Sequence, residues 1–324
     1  MPFLIAEPYR ETRPEFAMFE TLIHPIFPEA KVVNVQSLEG HLHLFYRITL
    51  SNDLNLILKT ARKEFTSLLR QERFSLQAEA EVLSLLENVQ HPYIPQLLRY
   101  DTLKFPPRTP YLVRPCIPGV PLSDIESSLT INERNGVDRQ IGRMVNFLGQ
   151  HTSTRFGYVH DVAQGGGKRG WKSAFLSFIE SLLCDAEDMF ISLPFHEIRE
   201  QVARLAPVLR DVAEPQLVVV DLGRPCHVLV DADSKEVTGF TDFSSAVWGD
   251  PFLVDVFTNP STAFLDGYGH DVMDEGSYQI RILLYSCYHH LKNLVRQYYR
   301  NRNDDEEMRA RRVLTANLAE MSEL

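Results

Sequence analysis

Two aspartates follow apolar runs in the second half of the chain, a placement that suits the handling of phosphate groups. Asp221 follows the apolar run 217–220 in "LVVVDLGRPCHVLVD", and Asp242 follows "VTGF" and Thr241 in "GFTDFSSAVWGDP". Two carboxylates at the ends of adjacent buried strands repel each other unless something compensates, and a metal ion does so. The structural alternative is that the two aspartates form turns or cap helices.

A lysine and a glutamate earlier in the chain extend this pattern. Phosphoryl transfer needs a cation for the nucleotide phosphates, carboxylates for Mg²⁺ and one carboxylate near the attacking hydroxyl. Lys59 ends the apolar run "LNLILK", and Glu79 lies beside the apolar stripe of the next amphipathic segment, with Glu81 as its rival. The alternatives are a lysine at the surface end of a strand and a solvated glutamate.

The elements around these residues predict a sheet-rich part followed by a helical part. Apolar and polar residues alternate over 32–59, which predicts three strands, the last two forming a hairpin. The apolar spacing of 74–89 predicts a helix. Extended runs at 91–101 and 109–119 then flank a proline-rich loop. Further helices are predicted at 132–151, 171–191, 195–213 and 276–298. We therefore expect an α+β fold with two lobes, residues 1–116 and 117–324.

Composition and charge exclude several classes of protein. The 324 residues are 44% hydrophobic and 23% charged, as in an ordinary soluble globular protein. No apolar run approaches the length of a membrane span, and charged residues stand where a signal peptide needs an apolar core, so we expect a cytoplasmic protein with no membrane partner. The net charge of -10 argues against nucleic acid as a partner and favours a small molecule. The four cysteines lie far apart in the sequence and are expected to be reduced.

The chain resembles the aminoglycoside phosphotransferase and choline kinase-like family, especially its fungal members. The resemblance covers nearly all of the chain and is sharpest in "VLVDADSKEVTGFTDFSSAVWGDPFLVDV", which is similar to the family's "NILVD…GxVTGVIDWxxAxxGDPxxDL". It implies a protein kinase-like bilobal fold, with a small antiparallel-sheet N-terminal lobe and a larger, mainly helical C-terminal lobe. It also implies ATP and Mg²⁺ as cofactors.

The resemblance implies a role for each candidate residue. Asp221 falls on the catalytic aspartate that orients the substrate hydroxyl and accepts its proton, and Asp242 falls on the aspartate that binds Mg²⁺. Lys59 matches the strand lysine of the nucleotide site, and Glu79 matches the helix glutamate that pairs with it.

Further positions follow from the same resemblance. Gly40 falls in the loop that approaches the phosphates. "YLVRPCIPG" looks like the hinge motif "LVMEYIPG", so backbone groups near Arg114 and Cys116 would meet the adenine. Asp250 in "WGDP" is expected to have a structural role in the loop after the metal-binding aspartate.

The catalytic loop departs from the family's pattern. Val219 and Val220 replace the His-Gly that precedes the catalytic aspartate in the family. The metal-binding asparagine corresponds to Cys226 when residues are counted from Asp221, and to His227 when the strand "VLVD" is the anchor. A neutral imidazole suits Zn²⁺ or Mn²⁺ better than Mg²⁺. The phosphate loop also departs, because it has Gly40 alone and His43 in the place of an asparagine.

Two classes of function remain open at this point. The first is an ATP-dependent kinase that acts on a hydroxyl of a small molecule, such as an amine, an amino sugar or a specialised metabolite; the acidic helical lobe is compatible with a cationic acceptor. The second is a catalytically impaired pseudokinase that binds a nucleotide or another ligand, which the altered catalytic loop favours.

Other polar residues admit ordinary explanations beside functional ones. Asp266, Asp271 and Asp274 lie where this family often builds acceptor-binding loops, and turn formation is the alternative. His289 and His290 fall in an apolar helix, where packing explains them better than metal binding does. The glycines at 165–167 are expected to form a loop rather than a phosphate site, because no strand precedes them.

Overall fold

The N-terminal part of the chain is built on a five-stranded antiparallel sheet. The computed structural model of the protein describes residues 16–38, 40, 42–61, 68–105, 109–269, 277–300 and 302–324. The sheet has the strand order β1-β2-β3-β5-β4. Its strands are β1 (Val32–Leu38), β2 (His43–Leu50), β3 (Asn55–Ala61), β4 (Arg99–Phe105) and β5 (Thr109–Pro115). Lys59 on β3 lies opposite Phe45 on one neighbouring strand and Leu112 on the other.

A short helix, α1 (Ala17–Ile23), packs its apolar residues against this sheet. Helix and sheet share one buried cluster that includes Phe19, Leu22, Ile23, Ile48 and Leu58. Sequence patterns did not predict α1, because its seven residues are too few for apolar periodicity to identify a helix. The sheet and α1 belong to one compact unit, Met1–Lys63 with Leu97–Cys116.

Helices dominate the second compact unit, Glu64–Gln96 with Ile117–Leu324. They are α2 (Ser75–Leu86), α3 (Leu122–Ile125), α4 (Ile131–Gly149), α5 (Val159–Ala163), α6 (Trp171–Asp188), α7 (Phe195–Leu205), α8 (Thr262–Tyr268), α9 (Tyr278–Tyr299) and α10 (Asp304–Glu323). Two small antiparallel sheets lie among them, with the orders β10-β9-β6 and β7-β11-β8. Their strands are β6 (Val120–Pro121), β7 (Gly157–Tyr158), β8 (Gln216–Val219), β9 (Val228–Val230), β10 (Val237–Phe240) and β11 (Ala246–Gly249). The α+β class predicted from the sequence is confirmed.

The predicted helices of the C-terminal part are present, with one difference. The predicted helix over 195–213 ends as α7 at Leu205 and continues as a 3₁₀ turn, Ala206–Asp211. Pro207 lies at the start of that turn, and its missing N–H and its ring interrupt the α-helical hydrogen bonds. None of the helices in the described ranges is long and apolar enough to cross a membrane.

An aromatic cluster fixes α9 against α6. The indole N–H of Trp171 donates to the hydroxyl of Tyr285 at 2.7 Å. The ring of Phe175 meets the ring of Tyr285 edge to face, with centroids 5.3 Å apart. All three side chains are fully buried, so the contact combines apolar burial with a satisfied polar pair. The position of α9 matters because this helix carries side chains to the candidate site.

Two glycines allow α4 and α8 to cross closely. A Cβ at Gly142 would clash with the carbonyl oxygen of Phe264 and come within 2.7 Å of the backbone nitrogen of Tyr268. A Cβ at Gly267 would clash with the carbonyl oxygen of Arg139. Both clashes are with backbone atoms, which cannot rotate away as a side chain could. The crossing therefore requires glycine on both helices.

Gly142→Ala should destabilise the protein, because the added methyl group forces α4 and α8 apart. We expect the free energy of unfolding to fall by about 2 kcal/mol, within the usual cost of overpacking. Gly136 lies on the same helix, and a Cβ added there would have no neighbouring atom within 4 Å, so Gly136→Ala should stabilise by about 0.5 to 1 kcal/mol through higher helix propensity. Urea denaturation of the two variants checks both signs, and equal effects would contradict the packing argument.

Candidate active site

The two aspartates follow strands of the two small sheets. Asp221 comes two residues after β8, and Asp242 comes two residues after β10. Strand β9 pairs with β10, and beyond that pairing the N–H of Thr241 donates to the carbonyl of His227 at 2.9 Å. The loop that follows Asp221 therefore returns beside the residues that precede Asp242, and the two positions come together.

Backbone hydrogen bonds fix the position of Asp221. Its own N–H donates to the hydroxyl of Ser245 at 3.1 Å. The carbonyl of the preceding residue, Val220, accepts from the N–H of Asp255 at 3.0 Å. The aspartate is thus held on both sides by the segment that follows Asp242.

A buried lysine neutralises the Asp221 carboxylate. Lys292 on α9 donates through Nζ to both carboxylate oxygens, at 2.8 and 3.0 Å. Arg224 Nε lies 3.7 Å from Oδ1 of the same carboxylate. Burial by itself raises the pKa of Asp221, but the positive charges of Lys292 and Arg224 outweigh it and hold that pKa well below its usual range. Asp221 is therefore ionised, and it is better suited to orienting a hydroxyl than to acting as a strong base.

His227, and not Cys226, faces Asp242. The imidazole Nδ1 of His227 donates to the carbonyl of Asp221 at 3.0 Å, which fixes the ring. Nε2 then lies 3.8 Å from Oδ2 of Asp242. Cys226, by contrast, is an exposed residue. Burial opposes protonation of His227, but its interactions with Cys226 and Asp242 raise its pKa to about 9. Of the two alignments left open by the sequence, this arrangement matches the one in which His227 takes the asparagine position.

His227 and Asp242 can together contribute two ligands to a metal ion. A ring held through Nδ1 presents Nε2 as the ligand atom once it is neutral, which is the usual arrangement of metal-binding histidines. Among the described residues there is no cluster of three or more His, Cys, Asp or Glu side chains suited to hold a metal. A nucleotide-bound Mg²⁺ or Mn²⁺ needs only one or two protein ligands, because phosphate oxygens and water complete its coordination. The residues present thus fit such a cation.

Lys59 and Gly40 meet at one aromatic ring in the first unit. Lys59 is 1% exposed, and its Nζ lies 5.4 Å from the ring centroid of Phe45, a cation–π distance. A Cβ at Gly40 would come within 2.5 Å of Cδ2 of that ring. Glycine at this position therefore lets the backbone approach Phe45, and the phenylalanine covers the lysine.

The other residues that the family resemblance assigns to nucleotide binding lie in both units, each with its own local contacts. Arg114 is buried in β5 and donates through Nη1 to the carbonyl of Pro115 at 3.3 Å. The N–H of Cys116 donates to the carbonyl of Asn55 at 2.8 Å, so that donor is already engaged. Glu79 on α2 is fully buried in the second unit, whereas its rival Glu81 is half-buried.

Asp250 is a structural anchor of the loop after Asp242. Its carboxylate accepts hydrogen bonds from Arg281 Nη1 at 3.0 Å, from the Tyr285 hydroxyl at 2.5 Å and from the Phe252 N–H at 3.1 Å. Burial raises the pKa of Asp250, and the charge of Arg281 opposes that shift. The Asp250 carboxylate thus has three hydrogen-bond donors, and the two on α9 fix its position relative to that helix.

The remaining candidates lie apart from this group. Asp266 is largely exposed, with Oδ2 3.9 Å from Arg139 Nη2, while Asp271 and Asp274 fall outside the described residues. His289 is buried and donates through Nε2 to the carbonyl of Leu253 at 2.9 Å. A packed histidine with one backbone partner agrees with the explanation preferred from the sequence.

Sequence patterns did not identify Lys292 and Arg224 as parts of the site. One signal was present, because Lys292 is a lone charge in the apolar run "ILLYSCYHHLKNLV". A lysine there must either reach solvent or meet a buried acid. Its partner lies 71 positions earlier in the chain, and no local pattern identifies such a distant residue.

The fold is shared with known phosphotransferases. Aminoglycoside phosphotransferase APH(4)-Ia, in a ternary complex with AMP-PNP and hygromycin B, is similar with a TM-score of 0.66 and 17% identity, over 93% of this chain and 97% of that one. The GDP complex of an aminoglycoside 2'-phosphotransferase-IIIa variant is similar with a TM-score of 0.60 and 18% identity, over 93% and 97% of the two chains. Gentamicin-bound APH(2")-IIa gives a TM-score of 0.61 and 17% identity, over 94% and 97%. These likenesses confirm the protein kinase-like bilobal fold.

The family follows from the sequence itself. The model of the phosphotransferase enzyme family matches residues 36–270, which is more than half of the 324 residues. The chain belongs to this family, and the resemblance to aminoglycoside phosphotransferases is confirmed. No curated protein sequence is similar enough to this one to count as a match.

His289→Gln should weaken the acid sensitivity of the fold. Burial lowers the pKa of His289 to about 3 from its ordinary 6.5, so between these values the unfolded chain binds more protons and stability falls as the pH falls. From pH 7.5 to 5.5 this histidine should remove about 1.4 kcal/mol of unfolding free energy. The glutamine keeps an N–H donor for Leu253 but does not titrate. Urea denaturation at the two pH values should show the difference.

The matched control for this prediction is His196→Gln. The His196 side chain is 97% exposed, so its replacement should leave the pH dependence of stability unchanged. A wild-type pH dependence in His289→Gln would mean that His289 is not the buried neutral group described above.

Proposed function

We propose that this protein is a small-molecule kinase that transfers the γ-phosphoryl group of ATP to a hydroxyl group. The observation that carries the proposal is the geometry of the loop: an ionised Asp221 adjoins His227 and Asp242, whose facing ligand atoms are 3.8 Å apart. Membership of the phosphotransferase family supports the same function. So do the nucleotides in related structures, AMP-PNP in one and GDP in another.

Each residue then has a defined task. Asp221 accepts a hydrogen bond from the acceptor hydroxyl, because a carboxylate retains lone pairs beyond the two that Lys292 uses. Asp242 and His227 hold Mg²⁺ or Mn²⁺, and the bound cation neutralises charge that develops on the phosphates. Gly40, Lys59, Glu79, Arg114 and Cys116 keep the nucleotide-binding roles that the family resemblance implies.

Asp242→Asn and Asp221→Asn should each abolish most phosphoryl transfer. Asp242→Asn should weaken metal-dependent ATP binding, whereas Asp221→Asn should retain binding and lose turnover by about 100-fold or more, because it removes the orienting charge. Titration calorimetry with ATP and metal, together with ADP release on a panel of hydroxylated compounds, separates the two effects. Asp233→Asn, at an exposed position in the turn between β9 and β10, is the matched control and should behave as the wild type.

The outcomes separate the two classes of function. Metal-dependent ATP binding with turnover supports the kinase. Binding without turnover on any acceptor favours a nucleotide-binding protein in which His227 has ended catalysis. The proposal is wrong if no nucleotide binds with either metal, or if transfer survives both substitutions.

His227→Asn should shift the metal preference of the enzyme. An imidazole ligand favours Mn²⁺ over Mg²⁺, whereas an amide oxygen suits Mg²⁺. We therefore expect wild-type turnover to be faster with Mn²⁺, and the ratio of Mn²⁺ to Mg²⁺ rates to fall by about tenfold in the variant. Asp233→Asn, at an exposed position in the turn between β9 and β10, is the matched control and should leave the ratio unchanged. Cys226→Asn tests the other alignment of the asparagine position, because Cys226 contacts His227. If Cys226→Asn shifts the ratio and His227→Asn does not, the assignment of the ligand position is wrong.

A further inference from the structure

Three basic side chains gather around Asp221. Lys292 and Arg224 lie within 2.8 and 3.7 Å of its Oδ1. Arg296 follows Lys292 by four residues on α9 and so lies on the same face, one turn further along. Burial lowers the pKa of Arg296, and the positive charge of Arg224 lowers it further. Arg296 and Arg224 are therefore close enough for their charges to interact. The candidate catalytic carboxylate is thus set among cations.

The three cations differ in the hydrogen bonds and ion pairs that they make within the protein. Lys292 is used by Asp221. Arg224 has two further partners. Its Nε lies 3.6 Å from Oδ2 of Asp255, and its Nη2 donates to Asn293 Oδ1 at 3.2 Å. Arg296 is half-buried and makes no hydrogen bond or ion pair with any residue in the described ranges. Its guanidinium is the donor group left for a ligand.

The acids nearby do not balance these charges. Within the described part of the chain, Asp221 and Asp255 are the acids in ionic contact with Arg224 and Lys292. The charge of Glu72 raises the pKa of Arg296, but Glu72 is itself paired with Arg300 Nη2 at 2.6 Å. Burial and the charge of Asp221 raise the pKa of Asp255 to about 6, so part of its charge is absent in weakly acidic solution. An excess positive charge therefore remains beside the carboxylate that orients the hydroxyl.

We propose that the phosphate acceptor is an anion: a hydroxylated small molecule whose carboxylate or phosphate group binds Arg296 and Arg224 while its hydroxyl lies against Asp221. This inference rests on the proposed kinase function. A guanidinium fork matches the geometry of both anionic groups and binds either with two parallel hydrogen bonds. A cationic acceptor, which the overall acidic composition suggested, would add a like charge beside three cations. The local arrangement of charge therefore predicts the opposite preference to the net charge of the chain.

Anion binding tests the arginines without requiring the true acceptor. Inorganic phosphate is titrated into the full-length protein saturated with Mg²⁺ and AMP-PNP, so that the nucleotide site is filled. We expect phosphate to raise the Tm of the wild type, and the apparent affinity to fall by about tenfold or more in Arg296→Gln and Arg224→Gln, because each loses a charged two-pronged contact. Arg296→Lys, which keeps the charge but not the fork, should be intermediate. Arg312→Gln, at an exposed position on α10, is the matched control.

Acceptor preference tests the same inference in turnover. Each set of acceptors shares one hydroxylated skeleton and carries a carboxylate, a phosphate, no charge or an amine, as in glycerate, glycerol 3-phosphate, glycerol and 3-aminopropane-1,2-diol. The anionic members should have a kcat/KM at least about tenfold above the neutral one, with the amine lowest. The carboxylate and phosphate arms show which anion the pocket takes. Arg296→Gln should remove this preference through KM for the acceptor and leave KM for ATP unchanged.

The results separate this inference from the proposed function. If the amine is the best acceptor, or if phosphate binds wild type and Arg296→Gln equally, the anionic acceptor is excluded while the kinase function stands. If nucleotide does not bind, the kinase function fails, and the phosphate titration of the nucleotide-free protein still decides whether the arginines form an anion site.

Discussion

The buried ion pair between Lys292 and Asp221 is the interaction on which the candidate site depends. An ionised carboxylate removed from water is costly unless it is paired, and Lys292 satisfies both of its oxygens. Removing one partner of such a pair leaves an uncompensated buried charge, which costs about 3 to 5 kcal/mol. The pair therefore keeps the loop that begins at Asp221 in place and keeps Asp221 charged. In the proposed function, Asp221 acts as an ionised group that already has one cationic partner.

One helix supplies the contacts that hold the site together. Along α9, Arg281 and Tyr285 donate to Asp250, His289 donates to the carbonyl of Leu253, and Lys292 donates to Asp221. The spacings of four, four and three residues place these side chains on one face of the helix. Tyr285 is itself fixed by the indole of Trp171, so the aromatic core sets the height and rotation of α9. Aromatic packing between α6 and α9 therefore fixes the positions of the Asp250 and Asp221 carboxylates through the side chains of α9.

The sequence predicted the elements and the acidic residues, but not the pairing that makes them a site. Asp221 and Asp242 were found because a charge directly after an apolar run is a local signal, and the family resemblance added their roles. Lys292 was missed because its partner lies far away in the chain. Whether Cys226 or His227 took the asparagine position stayed open, because the loop has gained one residue and spacing alone does not say where. The strand pairing of β9 with β10 and the ring position of His227 favour the alignment with His227.

The proposed kinase function depends most directly on His227 and Asp242 together holding the metal of a bound nucleotide. The most direct measurement is a crystal structure with AMP-PNP and Mn²⁺, with the manganese located by its anomalous scattering. We expect one Mn²⁺ within about 2.5 Å of both Asp242 and His227 Nε2, bridging to phosphate oxygens. A nucleotide bound with manganese away from His227, or a protein that binds neither, would contradict this assignment.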